Sequence, residues 1–409
     1  MPRYSSGVPF EPSDPWWRIG GVDYDLTPFL ALHPGGQHVL LLARDRFGDA
    51  TLAFEAHHLD WRRARRVLEQ YRVRTPGNLA ADLGLSAEDG FFCVLRDRLR
   101  AALRAAGAPV RGGPTRVCLG LFWASLAAWA CLAVATLATG RAASAAAMGA
   151  VAAILGSFGH NFVHQPAYYA HAHALDLVGL SANVWRREHV LQHHMFTNTP
   201  EDNHFKGTEP FLVVDPRARR GLLQRSVFPA LAPLLLCFGI PVNHAVRLAD
   251  VARGRESLTI GDWLPALEAA LFVGCRGGAA GLALWALARA VTGTLYFTIA
   301  LANHNGSASA AAMARGGAVA GADEWAVHQI EACGDWDVRV RFPRNLVYLT
   351  LNLHTVHHLF PSIDVSHHHI AQAVLEQTCA DRGVPYHPHQ SFSQLYGEAM
   401  TTFRGEPRS

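Results

Sequence analysis

The chain has 409 residues, 50% of them hydrophobic and 17% charged, with a formal net charge of +3 at pH 7. That length allows two or three domains of ordinary size, and so small a charge, with no basic patch interleaved with aromatics, argues against nucleic-acid binding. Seven cysteines without a CxxC pair argue against a disulfide framework or a zinc site, whereas the 23 histidines are mostly clustered.

In chain order, Met1 to Asp14 lacks the cationic start and apolar run of a signal peptide, so the first domain is expected in the cytosol. Residues 1–78 read as a small soluble domain with its body between about Trp16 and Val73. A short helix capped near Asp25 leads to a turn at His33-Pro34-Gly35-Gly36. Gln37 to Arg46 and Asp49 to Glu55 read as helices, and Arg74 to Asn78 as a linker. Within residues 79–116, Ser86 opens a helix with Phe91, Phe92, Leu95, Leu99 and Leu103 on one face and Arg96, Arg98, Arg100 and Arg104 on the other. That basic amphipathic pattern suits a membrane surface.

The remainder, 117–409, reads as a membrane domain. Val117–Thr139 carries no charge and is long enough to cross a bilayer. Ala142–Gly159 follows after Gly140-Arg141, which makes a hairpin. A second hairpin is expected from spans at about 263–275 and 279–302, turning at Cys275-Arg276-Gly277-Gly278 and interrupted by Glu268, Arg276 and Arg289. Ser226–Ile240, short and proline-containing, is placed in the interface. Arginines gather outside the hairpins, so the positive-inside rule puts both termini and every histidine cluster on the cytosolic side.

The chemistry lies in three clusters. His160 and His164 share one helix face. His189, His193 and His194 form the second cluster, and His354, His357 and His358 the third. Eight imidazoles are more than one ion takes, so two ions are implied. Structural zinc sites usually include cysteine, and none of the seven is placed to serve; a paired redox iron site fits better. Independently, His33 in its Pro-Gly-Gly turn, with His57 or His58 later, has the makings of a haem ligated on both faces, which moves electrons rather than binding oxygen.

These residues resemble two known families joined in one chain. Trp17 to Val73 is similar to cytochrome b5: the His-Pro-Gly-Gly turn, Gly48-Asp49-Ala50-Thr51, and the frame of Phe54, His58, Tyr71 and Val73. That frame favours His58 as second haem ligand, with His57 the alternative. From about Ser86 onward the chain resembles the cytochrome b5-fused front-end fatty acid desaturases. The resemblance rests on Trp185 to Asn198, on Asn303-His304-Asn305-Gly306, on Trp325 with Gln329-Ile330-Glu331, and on Leu351-Asn352 with His357-His358-Leu359-Phe360-Pro361. It suggests His304 as a ninth iron ligand.

Three departures stand out. Asn161 replaces the acid that usually follows the first histidine. His354 stands where front-end enzymes usually have Gln. Trp61 to Arg66 sets four arginines where cytochrome b5 proteins usually show an acidic face to their reductase.

The resemblance implies a mainly α protein: an N-terminal α+β cytochrome b5-like domain, then a four-span transmembrane helical desaturase domain with a cytosolic cap, in the endoplasmic reticulum membrane. It implies two non-haem irons, haem b, O2 as co-substrate, and NADH acting through cytochrome b5 reductase. The reaction implied is front-end polyunsaturated desaturation of a lipid acyl chain, the fused donor being held at high effective concentration by its tether. Sphingolipid desaturation and lipid hydroxylation use the same iron chemistry and stay open; a membrane electron carrier with structural metal is the remote alternative.

Overall fold

The structure is a computed structural model that describes residues 16–73, 85–109, 112–202, 204, 207–315 and 321–405. The linker expected at Arg74–Asn78 lies outside them. The described chain is mainly helical, with one two-stranded sheet.

In the N-terminal unit, strand β1 (Trp17–Ile19) pairs antiparallel with β2 (Val22–Tyr24). Their two-residue turn is Gly20-Gly21, with φ of 61° and 72°, the left-handed pair that a tight hairpin requires. Three helices follow: α1 (Gln37–Arg46), α2 (Thr51–His57) and α3 (Trp61–Leu68). Trp17, Ile19, Tyr24, Leu26, Ala43 and Leu68 make its core. Asp49 sets the start of α2 by accepting from the Thr51 N–H at 2.8 Å.

Helix α4 (Phe91–Ala105) corrects one expectation. Its apolar face is buried in protein, against Trp325, Val356, Leu359 and Leu375. Its basic face is met by carboxylates rather than by lipid: Arg96 by Glu55 at 2.5 Å, Arg98 by Asp381 at 2.6 Å, and Arg100 by Asp60. The same amphipathic pattern serves a buried strut as well as a surface helix, and only the matching acids, remote in sequence, distinguish the two.

Helices α5 (Arg116–Thr139) and α6 (Ala142–Val163) form the first hairpin, turning through Gly140 at φ 66°. Helix α6 runs past its expected end at Gly159 and carries His160 in its last turn. Next come α7 (Gly239–Ala252), α8 (Leu264–Arg276) and α9 (Gly278–Asn303). Among the described residues, α5, α6 and α9 are long and apolar enough to cross a membrane. Helix α8, on the third of the four expected spans, has 13 residues. At 1.5 Å per residue it reaches about 20 Å, short of a hydrocarbon core of about 30 Å. Ser226–Ile240 breaks into short helices that leave Leu231, Leu234 and Phe238 exposed.

Two of the three charges inside the second hairpin neutralise each other. Glu268 pairs with Arg289 and accepts from Trp285 Nε1 at 2.9 Å, while Arg289 also donates to the Leu177 carbonyl at 3.0 Å. Helices α6 and α9 pack backbone to backbone: a Cβ on Gly149 would sit 2.3 Å from the Ala288 carbonyl oxygen. Such close contact is the usual role of small residues between apolar helices. It fixes α6, and with it the first histidine cluster. The ends of α6 and α9 are covered by α10 (Ala322–Ala332), α11 (His354–Leu359), α12 (His368–Arg382) and α13 (Phe392–Arg404).

Candidate metal centre

His160 and His164 project from the end of α6 as their spacing requires. The second cluster is unusual: Arg186–His193 is a π-helical turn. In an α-helix, residue i+5 points roughly 140° away from residue i. The wider turn brings His194 back beneath His189, with Nε2 atoms 3.1 Å apart. The third cluster is α11, whose start is fixed where Asp335 accepts from the Thr355 N–H at 2.8 Å. His304 directly follows α9.

These elements bring all nine expected histidines together, in two adjoining groups. The first holds His160, His164, His189, His194 and His357. Within it, His160 Nε2 lies 2.7 Å from that of His189 and 3.0 Å from that of His357. The second holds His193, His304 and His358, with His354 joined to His304 by a 2.8 Å Nε2–Nε2 approach. Three helices and a post-helix residue, far apart in sequence, thus aim imidazole nitrogens at two neighbouring points.

The second group has a polar scaffold that the sequence reading missed. His193 Nδ1 faces both oxygens of Asp202, at 3.0 and 2.9 Å, leaving Nε2 to face His304. His304 Nδ1 approaches the Ala332 carbonyl at 3.2 Å. His358 Nδ1 meets Gln329 Oε1 at 3.0 Å and Thr197 Oγ1 at 3.1 Å. In each case Nδ1 is anchored by an oxygen partner and Nε2 is the nitrogen available to a metal, which is how a ligand imidazole is oriented. His204 was also missed: its ring stacks on His193 at 4.6 Å, and it groups with His189 and His193. Its only sequence signal is its place just beyond Asp202.

The acid missing at Asn161 is supplied from elsewhere in the chain. Asn161 Nδ2 donates to Asp364 at 2.7 Å, and Gln165 donates to the same oxygen at 3.0 Å. Asn161 therefore ties α6 to the segment that leaves the third cluster.

The donor set fits a metal pair. Both nitrogens of His164 and Nε2 of His358 are buried without a hydrogen-bond partner, and Nε2 atoms of His160, His189, His194, His304, His354 and His357 face one another, a costly arrangement for polar atoms unless something binds them. Burial, then neighbouring imidazoles, hold His189, His194, His354, His357 and His358 well below the ordinary histidine value, so they are neutral and able to ligate. Burial works against the Asp202 charge, but His193 and His204 beside it hold its carboxyl below the usual value.

Other histidines have ordinary partners. His171 packs among Phe122, Trp123 and Phe162, and His173 binds Asp176 at 2.5 Å. His328, His367 and His368 approach backbone carbonyls.

In the N-terminal unit, the His33 and His58 rings face each other with centroids 6.2 Å apart. His33 Nδ1 approaches the Gly36 carbonyl at 3.2 Å and His58 Nδ1 the Phe54 carbonyl at 2.7 Å. Both therefore keep Nε2 free, as two axial haem ligands must. Burial lowers both imidazoles, His58 to about 4. His57 has no ring contact with His33 among the described residues. Two of the four arginines of α3 are used internally: Arg62 binds Asp97 at 2.6 Å, Arg65 binds Glu55 at 2.8 Å, and both lie over the Trp61 ring.

Comparison with known proteins agrees with both centres. Residues 137–390 match the fatty acid desaturase family, and residues 9–76 match the cytochrome b5-like haem/steroid binding domain. A cytochrome b5-related protein of Drosophila melanogaster is 26% identical, over 85% of this chain and 78% of that protein. An acyl-lipid (8-3)-desaturase of Physcomitrium patens is 26% identical, over 93% and 86%. An acyl-lipid (8-3)-desaturase of Mortierella alpina is 24% identical, over 96% and 93%. No solved structure matches. With two sets of clustered imidazoles suited to iron and a facing histidine pair suited to haem, the chain belongs to the fatty acid desaturase family of oxidoreductases and carries a fused cytochrome b5-like domain.

Proposed function

We propose that this chain is a front-end acyl-lipid desaturase of the endoplasmic reticulum membrane, with its termini and metal centre on the cytosolic face. The observation that carries this reading is the convergence of His160, His164, His189, His194 and His357 on one point and of His193, His304, His354 and His358 on the next. These are the proposed ligands of two irons. His33 and His58 are the proposed axial ligands of haem b, received from residues 1–78, with 79–116 as connector and 117–409 as the desaturase domain. Acyl-lipid substrates are supported by relatives whose names specify acyl-lipid desaturation. The shortness of α8 is met by reading it as the thin arm of a fourth crossing, with its Glu268 shielded by Arg289.

When bound, the iron pair supplies the O2-derived oxidant needed to remove hydrogen from an unactivated methylene pair. The chain's own residues do the rest. Asp202, Gln329 and Thr197 hold imidazoles in the ligating tautomer. His33 and His58 hold the one-electron carrier, which we expect cytochrome b5 reductase to refill from NADH.

The test is lipid profiling of cells that express the chain and are fed defined fatty acids, with haem and iron counted per purified chain. The expected result is a new double bond in an acyl lipid, with one haem and two irons. A hydroxy lipid without a double bond, or zinc in place of non-haem iron, overturns the reading; a desaturated sphingoid base reassigns its substrate.

A further inference from the structure

A tethered donor has no need to touch the domain it serves, yet this one is packed against it. Leu52 and Ala56 of α2 share a buried cluster with Met195, which follows His194, and with Val356, which lies between His354 and His357. Phe47 contacts Phe196 ring to ring at 5.9 Å. Around this apolar contact runs a set of charge pairs between the two parts. Glu55 is buried and binds Arg96 and Arg65. Arg96 also donates to the Glu55 carbonyl at 2.9 Å. Trp61 Nε1 and Arg62 both donate to Asp97, at 3.2 and 2.6 Å, and Arg100 binds Asp60. Of these, Glu55–Arg96 is the fully buried pair between the two parts, and removing one partner of a buried pair is strongly destabilising, so it holds an orientation.

Two consecutive histidines stand at this contact. His58 faces His33. His57 is anchored by its Nδ1 to the Ala53 carbonyl at 3.0 Å, while its Nε2 is buried without a hydrogen-bond partner.

We propose that the haem domain is a seated donor, fixed in one orientation on the metal domain, and that His57, which follows Ala56 on α2 and buries an unpartnered Nε2, is a positioning residue at the seat. The inference rests on the haem and iron assignments proposed above. In the step it serves, one electron would pass from a ferrous haem held by His33 and His58, leaving it ferric, to an iron pair held by the clustered imidazoles. No bond forms or breaks, and an external reductase restores the haem before the second transfer.

The experiment uses the full chain in lipid nanodiscs, loaded with haem and iron, with the haem photoreduced by a flash. Decay of the ferrous Soret band reports transfer to iron. A seated donor decays at a rate independent of glycerol-raised viscosity; a rate that falls in proportion to viscosity overturns the seat. His57→Leu is expected to slow decay at least several-fold with the haem midpoint potential and iron content unchanged; an unchanged rate removes His57 from the proposal. In the metal-free chain, Arg62→Ala with Arg100→Ala is expected to speed hydrogen exchange at the α2 amides, and unchanged exchange means that these pairs hold nothing. A wild-type chain that binds no haem or non-haem iron, or whose ferrous haem never decays, sinks the underlying assignment rather than the seat.

Discussion

His193 and Asp202 are nine residues apart, and the imidazole Nδ1 of one lies 3.0 and 2.9 Å from the two carboxylate oxygens of the other. An acid behind a ligand histidine fixes its tautomer and raises its basicity, and its loss typically costs about 10–100-fold in metal affinity. Asp202→Asn is therefore expected to lower iron affinity by about that factor without unfolding the chain. Iron titration of the apoprotein, followed by metal analysis, checks it; wild-type affinity would show the carboxylate to be structural.

His304 joins the second imidazole group from outside the three clusters, through Nε2 approaches to His193 at 3.2 Å and to His354 at 2.8 Å. His304→Ala is expected to abolish product and drop iron from about two per chain toward one, leaving the Soret band intact. Full iron content with full turnover would remove His304 from the ligand set.

Asn161 and Asp364 make a swap experiment. Asn161→Asp sets two buried carboxylates at the present 2.7 Å contact. One must then take up a proton, at a cost of about 1–3 kcal/mol. Asp364→Asn added to it restores one charge and one amide, and is expected to recover most of the loss. Thermal unfolding of the two variants and the parent measures this; equal losses in single and double would mean that the pair does not interact.

In the haem unit, His33→Ala and His58→Ala are each expected to remove the six-coordinate haem spectrum. His57→Ala should keep it, since His58 is the histidine whose ring faces His33. Absorbance spectra of the purified variants decide, and loss of the spectrum only with His57→Ala would reverse the assignment.

Acid should unfold the apoprotein early. The folded state holds His58 at about 4, and His189, His194, His354, His357 and His358 also lie well below the ordinary value. The unfolded chain binds these protons near pH 6.5. Between the two, the unfolded state carries more protons, so stability is fully present above about pH 6.5 and is lost as pH falls toward 4. Iron loading should shift the loss to lower pH, because bound metal competes with those protons. Melting temperatures of apo and loaded protein across this range test both statements.

What the sequence made legible was whatever depends on local period. The His-x3-His face of α6, the charge-free first hairpin and the His-Pro-Gly-Gly turn all followed from spacing. Contacts remote in sequence did not. Helix α4 looked like a membrane-surface helix because Glu55, Asp60 and Asp381, which match its arginines, lie elsewhere in the chain. Asp202, Gln329 and Asp364 gave no signal because one carboxylate or amide among many acquires its role only by meeting an imidazole or its neighbour across the fold. Span ends also slipped: α6 continues through His160 because the histidines that face it remove the cost of burying it.

The π-helical turn at Arg186–His193 has a further consequence, for which changes the gene can accept. Inserting one residue between His189 and His194 would turn everything downstream by about 100° and push it on by about 1.5 Å. His194 would then point away from His189, even if every existing letter were kept. Substitutions around the turn can be tolerated one at a time, but its length cannot drift. Here the count of residues matters to the geometry as much as the identity of the histidines it carries.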